Sequence, residues 1–264
     1  MSSLPADPAA PPVRAIRSYV LRRSHFSNAQ RDAYDRLMPQ FGVPFGKEPL
    51  DLNKLFGRTA PTILEIGFGM GDTTAEMARL NPGFNYLGVE VHTPGVGALL
   101  KLVEAHSLTN VRVIEHDVQE VLEHQIGDGK LSGIHVFFPD PWPKARHHKR
   151  RLIQKQFVTV LVRKLDQGGF LHLATDWPDY AEQMVEVVDW TPELRRLVHH
   201  PAAVCAVDSA ASAASAGGHE PDPIPPGMAS RPVTKFERRG VKIGHPIADI
   251  IALRRPAIKV AATD

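Results

Sequence analysis

Short apolar runs alternate with amphipathic stretches over residues 61–189, and this alternation predicts an α/β fold. The runs PTILEIG, FNYLGVE, VRVIEHD, IHVFFPD and FLHLATD predict five buried strands, and apolar residues recur at helical spacing between them. Strands that alternate with helices indicate a doubly wound, mostly parallel sheet with helices on both faces. Such sheets bind their ligands beyond the carboxyl ends of the strands.

Local signals set the expected ends of several helices. Residues 28–38 predict a short helix that Pro39 ends, because proline lacks the N–H that an interior helical position needs. Thr73 and Glu76 have the spacing of a capping box. Asp176 is a candidate cap for the helix that follows the fifth strand.

Several segments fall outside this alternating pattern. Residues 1–12 are rich in Pro, Ala and Ser and are expected to form a disordered tail, followed by a basic arm with a short helix over residues 13–60. Residues 201–230 are rich in Ala, Ser, Gly and Pro and predict a flexible insertion in a domain over residues 61–255. That domain is expected to end in a last strand, followed by a tail over residues 256–264.

Composition excludes several classes of protein. The chain has 264 residues, and 43% of them are hydrophobic, which is enough to bury a sizeable core. The single cysteine, Cys205, excludes an intrachain disulfide framework and a cysteine-based zinc cluster. No apolar run reaches the roughly 18 residues of a membrane span, and the first residues lack the apolar core of a signal peptide. We therefore expect a soluble cytoplasmic protein.

The first strand runs into a glycine-rich segment. Glu65 precedes Gly67, Gly69 and Gly71, and glycines let the backbone turn tightly and approach a ligand closely. A dinucleotide fingerprint requires a further glycine where this chain has Asp72. The carboxylate of Glu65 gives a diphosphate no advantage, but it favours a ligand with an amino group, such as S-adenosylmethionine. A tight turn without a ligand is the alternative explanation.

Carboxylates also follow the second and third strands. Glu90 can accept two hydrogen bonds from a ribose diol, and Asp117 can accept one from an adenine amino group. Either residue alone could be a solvated loop acid or a turn-forming aspartate. Because acids end three successive strands beside a glycine turn, we expect one pocket for a nucleoside that carries an amine.

The fourth strand ends in FPDPWPK, residues 138–144. Its three prolines fix the backbone, since each proline ring restricts φ. Such rigidity favours one side chain held in place, and Asp140 is the candidate, with Trp142 available for stacking or packing. The alternative is a stiff linker in which Asp140 is only a turn residue.

A strongly basic segment follows this loop. Five of the eight residues over 144–151 are Lys or Arg, and such a run attracts phosphates, although many charge runs are only solvated surface. A second basic segment lies near the start of the chain, and the two segments together favour a nucleic-acid substrate. No metal is expected, because adjacent histidines point apart and no acid has a useful spacing. The candidate contacts are Lys144, Arg146, His147, His148, Lys149, Arg150 and Arg151.

Six motifs together resemble the bacterial tRNA (guanine-N7-)-methyltransferase family over roughly residues 13–255. The resemblance implies a class I, Rossmann-like methyltransferase fold with a seven-stranded sheet that contains one antiparallel strand. It also implies S-adenosylmethionine as cofactor and a guanine in the tRNA variable loop as acceptor. The motifs are EIGFGMG (65–71), GVEVH (88–92), HDV (116–118), FPDPWPKARHHKRR (138–151), ATDWPDY (174–180) and TKFERRG (234–240).

The resemblance also implies roles for individual residues. Asp140 matches the active-site position, and residues 146–151 match the RNA-interacting segment. The family's cofactor contacts fall on Glu65, Glu90, Asp117 and Asp140. Its substrate contacts fall on Lys144, Asp176, Thr234, Lys235, Phe236 and Glu237.

Other functions would explain part of the pattern. A methyltransferase that acts on a small molecule or a protein accounts for the pocket but not for two basic segments, and a methyltransferase that acts on another RNA is a further alternative. A non-enzymatic RNA-binding module could retain an inactive pocket. A nicotinamide oxidoreductase is disfavoured by Asp72. For methyl transfer to guanine N7, we hypothesise that Asp140 orients the base and stabilises charge, because the N7 lone pair needs no general base.

Overall fold

The computed structural model describes residue 19, residues 25–201, residue 237 and residues 246–256. Seven strands form one sheet in this part of the chain. They are β1 (Thr62–Ile66), β2 (Asn85–Glu90), β3 (Val111–Glu115), β4 (Leu131–Phe137), β5 (Leu165–Thr175), β6 (Leu194–Pro201) and β7 (Ala248–Arg254).

The strand order is β3-β2-β1-β4-β5-β7-β6. All pairs among β1 to β5 are parallel, and β7 is antiparallel to both of its neighbours. The expectation of a doubly wound, mostly parallel sheet with one antiparallel strand is therefore confirmed.

Helices pack on both faces of the sheet. A 3₁₀ helix over Ala145–Arg150, here called the basic turn, precedes the sixth α-helix. The α-helices are α1 (Asn28–Phe41), α2 (Leu52–Phe56), α3 (Asp72–Leu80), α4 (Thr93–Ala105), α5 (Val118–His124), α6 (Lys155–Lys164) and α7 (Pro178–Trp190). Among the described residues, none of these helices is long and apolar enough to cross a bilayer.

Successive residues of a strand enter two different cores, because side chains alternate between the faces of a sheet. Ile63 packs with residues of α1, α3 and α4, whereas its neighbour Leu64 packs with residues of α5, α6 and α7. Both side chains are fully buried. Burial on both faces explains why these strands contain consecutive apolar residues instead of a strict alternation of apolar and polar positions.

The predicted end of α1 is wrong, since the helix includes Pro39 and continues to Phe41. A proline in the last turn removes only one intrahelical hydrogen bond, and the next turn still closes where the Gly42 N–H donates to the Met38 carbonyl at 2.8 Å. Leu37 and Phe41 are buried in the core. Their packing outweighs the local cost of the proline.

The predicted capping of α3 and α7 is also wrong. Gly71, in the left-handed region, caps α3 without a side-chain hydrogen bond, so Thr73 already lies inside the helix. Glu76 instead forms an ion pair with Arg79 at 2.7 Å. The cap position of α7 is occupied by Trp177 rather than Asp176, again without a side-chain hydrogen bond. In both cases the preceding strand and turn, not a polar cap, fix where the helix begins.

Three elements were not anticipated from the sequence: α2, α5 and β6. The first two are short, and β6 is an edge strand that carries Arg195 and Arg196 where a buried strand would be apolar. Charged residues are typical of edges, because they discourage pairing with other chains. The predicted tail over residues 1–12 and nearly all of the predicted insertion and C-terminal tail lie outside the described residues.

Candidate active site

The carboxyl ends of β1 to β5 lie along one edge of the sheet, here called the strand-end edge. The register pairs Ile66 of β1 with Val89 of β2 and with Val136 of β4, so neighbouring strands end close together. Parallel strands are about 4.8 Å apart. The strand order therefore aligns the predicted site residues in a row, which runs from Asp117 through Glu90, the glycine turn (residues 67–71) and Asp140 to Asp176.

The glycine turn exposes its backbone on one side and packs tightly on the other. Gly67 and Gly69 have φ values of 70° and 58°, which side chains disfavour, and a Cβ at either position would meet nothing within 4 Å. A Cβ at Gly71 would lie 2.5 Å from Leu99, and one at Gly95 would lie 2.1 Å from the Gly69 carbonyl. The turn therefore packs against α4 on one side, and on the other side Gly67 and Gly69 leave space for a ligand to approach the main chain.

Glu65 is a buried acid with a raised pKa. It lies in β1, is 2% exposed, and its Oε2 accepts a hydrogen bond of 2.8 Å from the Thr74 hydroxyl. Burial raises the pKa of Glu65 to about 7, the Thr74 bond offsets part of this rise, and nearby Glu90 adds to it. Near neutral pH this carboxyl is therefore divided between its two protonation states, and a cation placed beside it would favour the anion.

Glu90 is held by three backbone N–H groups at the end of β2. Its Oε2 accepts from Gly69 at 2.8 Å, and its Oε1 accepts from Val91 at 2.7 Å and His92 at 3.1 Å. Burial raises the pKa of Glu90, and these bonds limit the rise. A carboxylate has about four acceptor sites, so about one is left. A ribose diol that needs two acceptors would have to replace one bond, and the Gly69 bond adjoins open space.

Asp117 forms a local contact with the backbone and also keeps one carboxylate oxygen available as an acceptor. Its Oδ1 caps α5 by accepting from the Gln119 N–H at 2.9 Å. Its other oxygen has no hydrogen-bond donor among the described residues, and the side chain is half-buried. Asp117 can therefore cap the helix and still accept a hydrogen bond from a ligand.

Glu115 is a residue of this edge that the sequence reading missed. It ends β3, opposite Glu90 in the register, and accepts hydrogen bonds from Tyr34 of α1 at 2.7 Å and from the Thr93 hydroxyl of α4. Glu115 therefore fastens α1 and the start of α4 to the strand-end edge. An acid as the last residue of the strand, directly after the buried Val113 and Ile114, was the available signal.

The proline-rich loop that carries Asp140 (residues 138–144) has a strained backbone. Phe138 and Trp142 have φ values of 51° and 45°. A non-glycine residue in this region costs roughly 1–3 kcal/mol and persists only where its surroundings fix it. The Phe138 N–H donates to the Ala174 carbonyl of β5 at 2.7 Å, which holds the start of the loop. Asp140 lies half-buried between the two strained residues.

Arg151 holds the other end of this loop, which corrects its assignment as an RNA contact. The residue is only 2% exposed, so its guanidinium is closed to a phosphate. Its Nε donates to the Pro141 carbonyl at 2.9 Å, and its two terminal nitrogens donate to Gln183 at 2.8 Å and Asp179 at 2.5 Å. The guanidinium also lies over the Tyr180 ring. Arg151 therefore ties the Asp140 loop to α7.

The other predicted cations form an exposed patch on the basic turn. Lys144, Arg146 and Lys149 are exposed. The Arg150 guanidinium lies 3.7 Å from the centre of the Trp142 ring, a cation–π contact that presents a planar cation at the surface.

The two histidines of the basic turn are half-buried. Desolvation and the neighbouring cations lower the pKa of His147, which favours its neutral form. His148 Nε2 lies 3.5 Å from an Asp179 carboxylate oxygen. The lysine and arginine side chains of the patch carry its pH-independent positive charge.

The remaining predicted contacts are described in part. Asp176 directly follows β5 at the strand-end edge and is half-buried. Thr234, Lys235 and Phe236 lie outside the described residues, and Glu237 is half-buried.

Comparisons with known proteins fit this geometry. A family model described as "Putative methyltransferase" matches residues 59–250. A tRNA (guanine-N(7)-)-methyltransferase of Nitrosomonas europaea is 52% identical over 239 residues, which cover 90% of this chain and 96% of the relative. One of Nitrosomonas eutropha is 50% identical over 236 residues, which cover 89% and 95%. The solved structure of 16S rRNA methyltransferase KamB, 14% identical, aligns with a TM-score of 0.51 over 79% of this chain and 95% of that chain, which shows a shared fold.

Proposed function

The chain belongs to the tRNA (guanine-N7-)-methyltransferase family, with the expected class I methyltransferase fold, and we propose that it methylates N7 of a guanine in the tRNA variable loop. The observation that carries this proposal is the continuity of the strand-end edge. A row of acids and open glycine backbone is followed directly by a rigid aspartate loop and an exposed cationic patch. The proposed substrate places the reaction in the cytoplasm.

The residues of the glycine side fit S-adenosylmethionine. Gly67 and Gly69 leave open space beside the main chain. Glu65 can become anionic beside an ammonium group, because its pKa is about 7. Glu90 can accept from a ribose hydroxyl, and Asp117 retains one oxygen for an adenine amino group. No diphosphate site is needed for this cofactor, which agrees with Asp72 in place of the last glycine of a dinucleotide fingerprint.

The chain's own residues do little covalent chemistry in this reaction. When bound, S-adenosylmethionine supplies a methyl group activated by its sulfonium charge, and transfer moves that charge to the purine. Guanine N7 already carries a lone pair in the neutral base, so no residue has to remove a proton. The task of the protein is alignment of the two reactants and stabilisation of charge. This chemistry needs no metal ion.

Asp140 has the position and the chemistry for both tasks. The Asp140 loop lies next to the glycine turn, because β4 neighbours β1. Arg151 holds this loop, whose backbone is strained at Phe138 and Trp142. A carboxylate there can accept hydrogen bonds from the N1–H and the amino group of guanine, a donor pattern that adenine lacks. The same negative charge stabilises the positive charge that develops on the purine.

Phosphate binding falls to the exposed cations of the basic turn. Lys144, Arg146 and Arg150 present positive charge beside the Asp140 loop, and arginine can bind phosphate with two parallel hydrogen bonds. Arg151 contributes indirectly, because it fixes the loop from which these residues extend. The guanine must leave its tertiary stack to reach the edge, as in enzymes that act on a flipped base.

Mapping the product tests this proposal. Purified protein, labelled S-adenosylmethionine and unmodified tRNA are incubated, and the labelled nucleotide is located by digestion and mass analysis. We expect one N7-methylguanine in the variable loop and no label when that guanine is replaced by adenine. Label at another atom or another region of the tRNA would contradict the proposal, as would transfer that is indifferent to the replacement.

A further inference from the structure

A cavity of about 490 Å³ lies between α5 and α6, bordered by the basic turn. Its volume is within the roughly 300–1,000 Å³ of typical ligand sites. None of the strand-end acids lines it, and neither does the glycine turn. It is therefore a separate space from the candidate active site, although the basic turn contributes to both.

The lining is strongly cationic. Five of its side chains are Lys or Arg, and only Glu123 is acidic. Arg163 and Lys164, at the end of α6, share the carboxylate of Asp128 at 2.8 Å. At the other end, Lys149 has no hydrogen bond or ion pair among the described residues, and the residue is exposed. This end of the cavity is suited to a phosphate.

The space between the charged ends is apolar, with amide groups along it. Leu122 and Phe157 supply apolar surface, and Gln119, Gln154 and Gln156 supply donors and acceptors. A flat heterocycle fits this lining, because its faces can cover the apolar walls and its edges can bond to amides. An inorganic anion would leave the apolar walls uncovered, and a purely apolar ligand would leave Lys149 without a counter-charge.

We propose that this cavity binds one nucleotide, with its phosphate near Lys149 and its base against Phe157. Resting on the proposed function, we assign that nucleotide to the tRNA, at a position other than the methylated guanine. The basic turn supports this source, because Arg146 extends from the same turn whose Lys149 and Arg150 line the cavity. A free nucleotide has the same chemistry, so the experiment distinguishes the two sources.

Two matched tryptophan variants of α6 provide the first test. Gln156 lines the cavity, whereas Thr159 is exposed on the same helix and does not line it. Gln156→Trp should fill the cavity and raise the Kd for tRNA about tenfold, while Thr159→Trp should leave it unchanged. The Kd for S-adenosylmethionine, measured by calorimetry, should be the same in both variants and confirms that each is folded.

Photocrosslinking provides a readout that does not depend on methyl transfer. A photoreactive benzoylphenylalanine in place of Phe157 should crosslink to one nucleotide of bound tRNA, away from the target guanine. The same group in place of Thr159 should give no such product. A crosslink at Phe157 together with failed methyl transfer would contradict the proposed function but support the cavity proposal.

Adenosine monophosphate, titrated into the protein without tRNA, tests the other source. Binding that Gln156→Trp abolishes, with unchanged tRNA affinity in that variant, would support a nucleotide site and reject tRNA as its source. If Gln156→Trp changes the affinity for neither tRNA nor adenosine monophosphate, and no crosslink forms at position 157, the proposal is overturned.

Discussion

On the glycine side of the strand-end edge the acids Glu65 and Glu90 are buried and already hydrogen-bonded, whereas on the loop side Lys144, Arg146 and Lys149 are exposed. The glycine side relies on the Thr74 hydroxyl and on backbone N–H groups to hold its carboxylates. The loop side relies on Arg151, which holds a strained loop by donating a hydrogen bond to the Pro141 carbonyl. The two sides are thus preorganised by different means.

This difference predicts different responses to the solvent. A buried carboxyl is weakly screened by salt, and its pKa is moved by burial, so the glycine side should respond to pH. Exposed cations are screened within about 10 Å at 0.1 M salt, so the loop side should respond to ionic strength. Substitutions on either side test this difference in response.

Asp140, where the two sides meet, should give the largest effect. Asp140→Ala removes the charge that we propose stabilises the methylated purine, and loss of one such electrostatic group costs about 10²–10³-fold in kcat. Single-turnover transfer to tRNA at saturating donor measures this loss. Asp140→Asn, which keeps the shape without the charge, should recover only a small part of the rate. Unchanged transfer in Asp140→Ala would contradict its assignment as the catalytic residue.

Arg151 and Arg150 offer a matched pair, because the first is buried and the second is half-buried over Trp142. Arg151→Ala should lower the free energy of unfolding by about 3 kcal/mol, since it removes a buried charged donor and leaves the Pro141 carbonyl unpaired.

Urea denaturation measures the difference between the pair. Arg150→Ala should cost about 1 kcal/mol or less, which is the range of a partly exposed cation–π contact. Arg151→Lys keeps the charge but not the planar fork, so it should be nearly as destabilising as Arg151→Ala. Equal, small effects of both alanine substitutions would show that Arg151 does not support the loop.

Glu65 should make stability depend on pH. Its pKa rises from 4.5 to about 7 on folding, so between these values the native state holds a proton that the unfolded state has released. The free energy of unfolding should therefore fall as pH rises through this range, by about 3 kcal/mol in total.

Glu65→Gln cannot ionise and should lack this fall. Chemical denaturation of both proteins at several pH values gives the difference between the two curves, in which contributions shared by other groups cancel. Parallel curves from pH 4.5 to 7 would mean that Glu65 is not the buried, proton-holding group described above.

The sequence predicts the glycine side well, because its features follow one another along the chain. Gly67, Gly69 and Glu90 lie at or directly after strand ends, and parallel strands bring those ends together whatever the details of packing. The proline spacing likewise indicated a rigid loop around Asp140. The doubly wound sheet followed from the same alternation of strands and helices.

Contacts between distant segments account for what the sequence did not predict. Arg150 and Arg151 are adjacent and chemically identical, and Arg151 is the buried one because its partners, among them Asp179 and Gln183, lie on α7 or in the Asp140 loop. Glu115 acquires its role from Tyr34, 81 residues earlier in the chain. The helix through Pro39 depends in the same way on burial of Phe41, which no local pattern shows.

The most direct test of the division between the two sides compares Glu90→Gln with Arg150→Ala. Glu90→Gln should raise the Kd for S-adenosylmethionine about tenfold, the equivalent of about 1.4 kcal/mol for a weakened charged hydrogen bond, and leave the Kd for tRNA unchanged. Arg150→Ala should raise the Kd for tRNA severalfold, reduce its dependence on log salt by about one unit and leave the donor Kd unchanged.

Both affinities are measured for both variants, by calorimetry for the donor and by a salt titration for tRNA. Two separate effects, each confined to one ligand, are the result that we predict. A rise in tRNA Kd caused by Glu90→Gln, or a rise in donor Kd caused by Arg150→Ala, would contradict the claim that the two sides of this edge bind different reactants.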